Sequence, residues 1–353
     1  MTMSYRESIS LDLKAKVEKV ENLSYLSWAN AYGLAGRPEY ATPMFDGSPF
    51  RKMLGGAVVA IDLPSLGAAA PQRVWLPLMD YKNKQIPEAK VTGRDVTDAL
   101  GRCLTKAIAM HRGVGLSAYA GYDGDGAKVA NLLGPISPGD TDLSTAGAVT
   151  EIKGEGKYQV AYVPWWASVA ASMLADPTGF HWNVAEFPVK GGAENETMPF
   201  LSMDSGVLVA VDLTFAGRSH RQWLPVMDNR NGSKGSIDTA DWNKTVMRCL
   251  AKGIAMISGY GLSVYAGEDT TPVAKPAPKP AIPDIREYMG YDLTDIPTAA
   301  EAKTVRAILD RISAGAELSA VKSYIDTSGD TFCERSKAVV LAAIEVKEAP
   351  LEV

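Results

Sequence analysis

The stretch GGAVVAIDL at Gly55–Leu63, followed by RVWLPLMD at Arg73–Asp80, decides the fold, because it occurs twice. It returns as GVLVAVDLTF at Gly206–Phe215 and RQWLPVMD at Arg221–Asp228. Each run has strand length, carries β-branched and aromatic residues, and is bounded by Gly, Pro or Asp. A turn containing Gly, Ser or Pro separates the members of each pair, so each pair reads as a β-hairpin.

Working outward, the repeat continues. RCLTKAIAM at Arg102–Met110 returns as RCLAKGIAM at Arg248–Met256, and GLSAYAG at Gly115–Gly121 as GLSVYAG at Gly261–Gly267. With VAIDL/VAVDL and WLPLMD/WLPVMD, the blocks are identical at 22 of 27 positions and keep their order. YLSW at Tyr25–Trp28 and YVPW at Tyr162–Trp165 extend the match toward the N-terminus, each opening an aromatic-led helical stretch. Such periodicity marks a duplicated structural unit.

The RCL blocks lie on helices. Val96, Leu100, Cys103, Leu104, Ala107, Ile108 and His111 recur at three- and four-residue steps. Trp242, Val246, Cys249, Leu250, Gly253, Ile254 and Ile257 match them in the second repeat. That stripe suits a helix lying across a sheet, with both cysteines as small core residues. The expected fold class is α+β: two tandem copies of a small antiparallel β-sheet with a long helix packed across it, plus a C-terminal helical bundle. The expected boundaries are an N-terminal segment 1–22, copies at 23–125 and 157–269, a flexible Gly/Ser/Thr/Pro-rich linker 126–156, a Pro-rich linker 270–283 and a helical domain 284–353.

Composition excludes several classes. With 46% hydrophobic and 22% charged residues among 353, the chain is neither fibrous nor wholly disordered. No apolar run approaches the roughly 18 residues of a membrane span, and the polar, charged start MTMSYRESISLDLKAKVEK is no secretory signal. Three cysteines are too few for a disulfide framework, so a reducing compartment is expected. Three well-separated histidines argue against a zinc site. The net charge of −5 gives no global case for nucleic acid, so any such case must be local.

Local candidates exist. Arg102 and Lys106 are one helical turn apart off the apolar stripe, and Arg248 and Lys252 repeat them. Such pairs can track a phosphate backbone; alternatively they form a solvated helix face, with Asp98 pairing Arg102. The turn after the first hairpin carries Lys82, Asn83 and Lys84, and the second carries Arg230, Asn231 and Lys234. These residues could touch phosphates, or belong to Asx turns capped by Asp80 and Asp228. Tyr25 and Tyr162 are the best exposed stacking candidates, placed at the start of the first helix of each copy. Trp28, Trp75, Tyr119 and their mates read mainly as packing residues. Asp62, Asp80 and Asp123 repeat as Asp212, Asp228 and Asp269. They are the sole support for a metal-dependent nuclease, and each sits at a strand end or turn where Asp has structural work. No P-loop, nucleophile elbow or HExxH is present.

Together, YLSW, strands ending in WLPxMD, xxRCLxKxIAM and GLxxYAGED resemble phage and prophage single-strand annealing proteins of the Sak type, in the Rad fifty-two superfamily. DVTDALGRCL at Asp95–Leu104 also resembles the helix of the eukaryotic ring-forming member, where the Arg at the Arg102 position belongs to the inner DNA-binding groove. The resemblance implies a protein without covalent catalysis, cofactor or ATP requirement. It would bind single-stranded DNA, anneal complementary strands in phage-type recombination, and assemble into homo-oligomeric rings or filaments in the bacterial cytoplasm. Groove residues would be Arg102, Lys106, Arg248 and Lys252, with Lys82, Lys84 and Arg230 secondary. Residues 284–353 would recruit a host single-strand binding protein or a phage exonuclease. One departure is that such proteins carry one domain per chain. Here 11 basic and 9 acidic residues in the first copy become 9 and 11 in the second. A non-catalytic interaction module that regulates host recombination is the alternative reading.

Overall fold

The computed structural model describes residues 3–20, 23–67, 71–80, 82–153, 160–189, 191, 196–228, 234, 236–265, 304–305, 307–309, 312, 318–327 and 334–348. The chain divides into two compact units, Met1–Val273 and Ala274–Val353. The Pro-rich stretch 270–283, Arg230, Asn231 and Asp269 lie outside the described residues.

The first unit begins with α1 (Tyr5–Ile9), β1 (Val17–Val20), β2 (Leu23–Leu26) and α2 (Trp28–Leu34). β3 (Arg51–Met53), β4 (Gly56–Leu63) and β5 (Gln72–Pro77) follow, then α3 (Gly93–Arg112), α4 (Leu116–Tyr119) and α5 (Gly126–Leu133). β6 (Glu151–Lys153), β7 (Val160–Tyr162), α6 (Trp165–Ala175), β8 (His181–Val184), β9 (Phe187–Pro188) and β10 (Thr197–Met198) come next. β11 (Leu201–Met203), β12 (Gly206–Phe215), β13 (Arg218–Pro225), α7 (Thr239–Ser258) and α8 (Leu262–Tyr265) complete it.

The protein is thus a mixed α+β molecule of small antiparallel sheets packed against helices. One sheet runs β3-β4-β5; another runs β11-β12-β13, with β8 also paired to β12. Both hairpins have matching registers: Trp75 faces Ala60 as Trp223 faces Ala210. α3 lies across β4 and β5, and α7 across β12 and β13. α2 packs on α3, and α6 on α7.

Local chemistry explains the two long helices. Thr92 caps α3 and Asp238 caps α7, each in a capping box with the Asp three residues on. Both helices end at a glycine in the left-handed region, Gly113 and Gly259, which an L side chain resists. Cys103 donates to Val74 O and Cys249 to Gln222 O, both at 3.2 Å, tying helix to sheet. Burial pushes both thiols up to about 12, so they remain unreactive core groups.

Three placements differ from the sequence expectation. Tyr25 and Tyr162 lie on β2 and β7, one element before the helices, because α2 starts only after its cap Ser27 and α6 only after Pro164. The stretch from residue 126 is no flexible linker where it is described. Asp125 caps α5, and Val129, Leu133, Ile136, Leu143 and Val149 are buried in one continuous core shared by both repeats. The N-terminal segment also belongs to that core through Tyr5, Ile9 and Leu13. Tyr5 Oη donates to Met110 O at 3.1 Å, and the Arg6 guanidinium donates to Gly134 O and Ile136 O at 3.1 and 2.7 Å. Gly126 permits this crossing: a Cβ there would collide with the carbonyls of Ile9 and Leu11.

In the second unit, helices Leu318–Thr327 and Glu334–Glu348 contribute to a separate apolar cluster. Val305, Ile308, Leu309, Ile312, Ile325, Val339, Val340, Ala343 and Ile344 are buried there.

Candidate nucleic-acid interface

Arg102 sits midway along α3, half-buried, and donates from Nη2 to Met79 O at 3.0 Å. Its Nε is buried with no hydrogen-bond partner in the structure. Its charge reaches two phenols, Tyr25 on β2 and Tyr119 on α4. Burial raises both phenol pKa values, and the guanidinium opposes the rise. Trp28, the first residue of α2, lies against Gly101 and is 52% exposed. Tyr119 is partly exposed and meets Trp165 of α6 edge-on, with centroids 5.9 Å apart. One cation therefore lies among several accessible aromatic rings, an arrangement suited to phosphates and stacked bases.

In the second repeat Arg248 is exposed on α7. Its charge reaches Tyr265, whose phenol burial pushes up to about 12. Lys252 is half-buried one turn further on. Tyr162 faces Glu151 across the β6–β7 pair, as Tyr25 faces Glu18 across β1–β2. Its hydroxyl donates to the Glu151 carboxylate, which Trp166 Nε1 also bonds at 3.3 Å. That hydroxyl is committed within the protein.

Lys106 departs most from expectation. It is buried, with Nζ 5.8 Å from the Trp165 ring and 3.4 Å from Asn243 Oδ1. Burial lowers its pKa to about 8. The residues that cover it come from the second repeat, so its own helix periodicity carries no sign of them.

Lys82 and Lys84 are exposed on a turn that Asp80 organises, its Oδ1 accepting both backbone N–H groups at 2.8 and 2.9 Å. Asn83 lies in the left-handed region at φ 56°. The Asx-turn geometry and an exposed basic tip therefore coexist. Lys234 pairs with Asp241. Asp98 pairs with Arg94, not Arg102.

Among the described residues, the repeated carboxylates Asp62, Asp212 and Asp123 have structural partners. Asp62 grips Arg73 in a bidentate pair at 2.7 and 2.8 Å, and Asp212 grips Arg221 at 2.6 and 2.7 Å. Asp123 accepts from Lys19 and Ser24. Among the described residues no three His, Cys, Asp or Glu side chains gather as a metal site. No helix among them is long and apolar enough to cross a membrane.

Sequence reasoning underweighted Trp28 and Tyr119, which it assigned mainly to packing. Both lie within repeated blocks, YLSW and GLSAYAG, but nothing in those blocks separates an exposed ring from a packed one.

These features define a small-sheet α+β protein whose accessible aromatic and cationic side chains gather along a long helix. The family described as Sak Single Strand Annealing Protein matches residues 3–128 and 143–290, and the chain belongs to it. Membership implies annealing of single-stranded DNA in recombination, and members are generally non-catalytic. No curated protein and no solved structure matches the chain.

Proposed function

We propose that this chain anneals complementary single strands without ATP, holding one strand against α3 and its counterpart α7. The observation that carries this reading is an Arg102 charge that reaches both Tyr25 and Tyr119, with the exposed Trp28 packed against the adjoining Gly101. Arg102 and Arg248 take phosphates, Lys252 assists, and Lys82, Lys84 and Arg230 extend the path. Tyr25, Trp28 and Tyr119 stack bases. Lys106 supports the site from beneath by positioning Trp165, and Tyr162 holds the β6–β7 pair. No cofactor takes part.

The finer organisation belongs to the same reading. The chain is a tandem duplication of one annealing-type domain, bounded near 23–125 and 157–269. The two domains are joined closely through the buried anchors Val129, Leu133, Ile136, Leu143 and Val149 of the segment between them. Residues 284–353 form a helical domain that recruits a protein partner, either a host single-strand binding protein or a phage exonuclease.

The test mixes purified full-length chain, without ATP or Mg²⁺, with two complementary oligonucleotides coated by single-strand binding protein. Duplex formation is followed across a salt series. Acceleration should fade as salt rises, with a log–log binding slope of roughly −0.7 per phosphate contact. Arg102→Ala and Arg248→Ala should each weaken single-strand binding about tenfold, roughly 1.4 kcal/mol, with the fold retained. Unchanged binding in both variants removes the groove assignment.

A further inference from the structure

The two repeats differ at one polar contact beside their matching sites. β2 pairs with β1 and β7 with β6 in the same register, so Tyr25 faces Glu18 as Tyr162 faces Glu151. α4 packs on β2 as α8 packs on β7, so the elements that carry Tyr119 and Tyr265 are placed alike. The sequences diverge one residue past the aligned aromatics: YLSW is followed by Ala29, and YVPW by Trp166. Trp166 is buried, and its Nε1 donates to Glu151 Oε1 at 3.3 Å while the Tyr162 hydroxyl donates to Oε2. Two donors therefore fix the Glu151 carboxylate against Tyr162. Ala29 offers Glu18 no such donor, and Glu18 is exposed.

The charges at the two tyrosines are opposite in sign. Burial raises both phenols. Beyond burial, the strongest charge on Tyr25 is the Arg102 guanidinium, which opposes the rise. On Tyr162 it is the Glu151 carboxylate, which adds to the rise. A base stacked on a ring brings its own phosphates close to that ring's neighbours. A cation there holds the strand, and a fixed carboxylate repels it. Trp165, the counterpart of Trp28, is already engaged by Tyr119 and Lys106.

We propose that Glu151 is a specificity-determining residue that keeps bases off Tyr162, so that the first repeat grips bases and phosphates and the second grips mainly phosphates. Arg248 still takes a phosphate on α7. The bases above it meet one available ring, Tyr265, and stay open to a complementary strand. The first repeat thus holds the strand and the second presents it. This inference rests on the annealing reading and gives the two repeats different parts in it.

The test compares full-length wild type with Glu151→Gln, whose amide oxygen still accepts a hydrogen bond but carries no charge. Affinity is read from the fluorescence anisotropy of a labelled single-stranded oligonucleotide. Annealing of two complementary oligonucleotides, without ATP or Mg²⁺, is timed at saturating protein. Glu151→Gln should bind about three- to tenfold more tightly at low salt, yet anneal more slowly. In a Tyr162→Leu background the same substitution should give no gain in affinity. Glu151→Ala should reproduce both effects if the Gln variant fails to fold. Tighter binding with faster annealing overturns the division between the repeats. A gain that persists with Tyr162→Leu is a general charge effect and overturns the assignment. Unchanged or weaker binding, in a wild type that does bind strands, overturns this inference and leaves the annealing reading standing. A wild type that neither binds nor anneals strands overturns both.

Discussion

A lysine ammonium enclosed by Trp165 and Asn243 carries its charge at a cost that pH removes. Lys106 has a folded-state pKa of about 8, lowered by burial from the ordinary lysine value near 10.5. Below pH 8 it is charged in both states, and the burial cost is fully present. Between about 8 and 10.5 the unfolded chain binds more protons than the folded chain, so this residue's contribution to stability rises with pH. Lys106→Met should leave stability at pH 7 within about 1 kcal/mol of wild type, or raise it. It should also flatten the rise above pH 8. Urea unfolding of both proteins at pH 7 and pH 9.5 checks this. A variant that loses stability equally at both values argues that the cation–π contact outweighs desolvation. His111 mirrors this at acid pH: burial lowers it to about 3, so its contribution is lost as pH falls below the unfolded value near 6.5.

At the scale of elements, α5 is the sharpest test of whether the middle of the chain is structural. Leu133 is buried there beside Val129. Leu133→Ala should cost about 2–5 kcal/mol, the range for truncating a packed leucine; a tether would show almost none. Chemical denaturation of the variant decides between them. The hairpins and long helices were legible because their periods of two and near 3.6 are strong, and each was written twice. The stretch 126–149 was not, because its five apolar anchors, Val129, Leu133, Ile136, Leu143 and Val149, are diluted among Gly, Ala, Ser and Thr, and the cap of α5, Asp125, belonged to the end of the preceding repeat. Of the candidate site, Arg102 and Tyr25 could be found by position. Lys106 and Tyr162 could not be judged, because Trp165, Asn243 and Glu151 cover or bind them from other elements. Periodicity within one helix reports its own stripe and says nothing about what a distant segment lays over its other side.

At the scale of the molecule, both repeats share one apolar core, and Glu186 bridges them through Arg51 and Arg73. All seven tryptophans lie between Trp28 and Trp242, within the first compact unit. Tryptophan fluorescence should therefore report a single cooperative thermal transition for both repeats. Glu186→Ala leaves two partly buried guanidiniums without that acceptor. It should cost about 1–3 kcal/mol and lower the midpoint without splitting the transition. Two resolved transitions in wild type would falsify the shared core.

The anchoring of Arg6 has a consequence for the order of events during synthesis. Its acceptors are the carbonyls of Gly134 and Ile136, and Tyr5 waits for Met110. Those carbonyls follow Tyr5 and Arg6 by more than a hundred residues, so these contacts wait until that much more chain has been made. The Tyr5 hydroxyl and the Arg6 guanidinium must stay without these acceptors while the first hairpin and its helix form. Closure of the first repeat is therefore a late, long-range step whose rate is set by chain emergence and loop entropy rather than by local propensity.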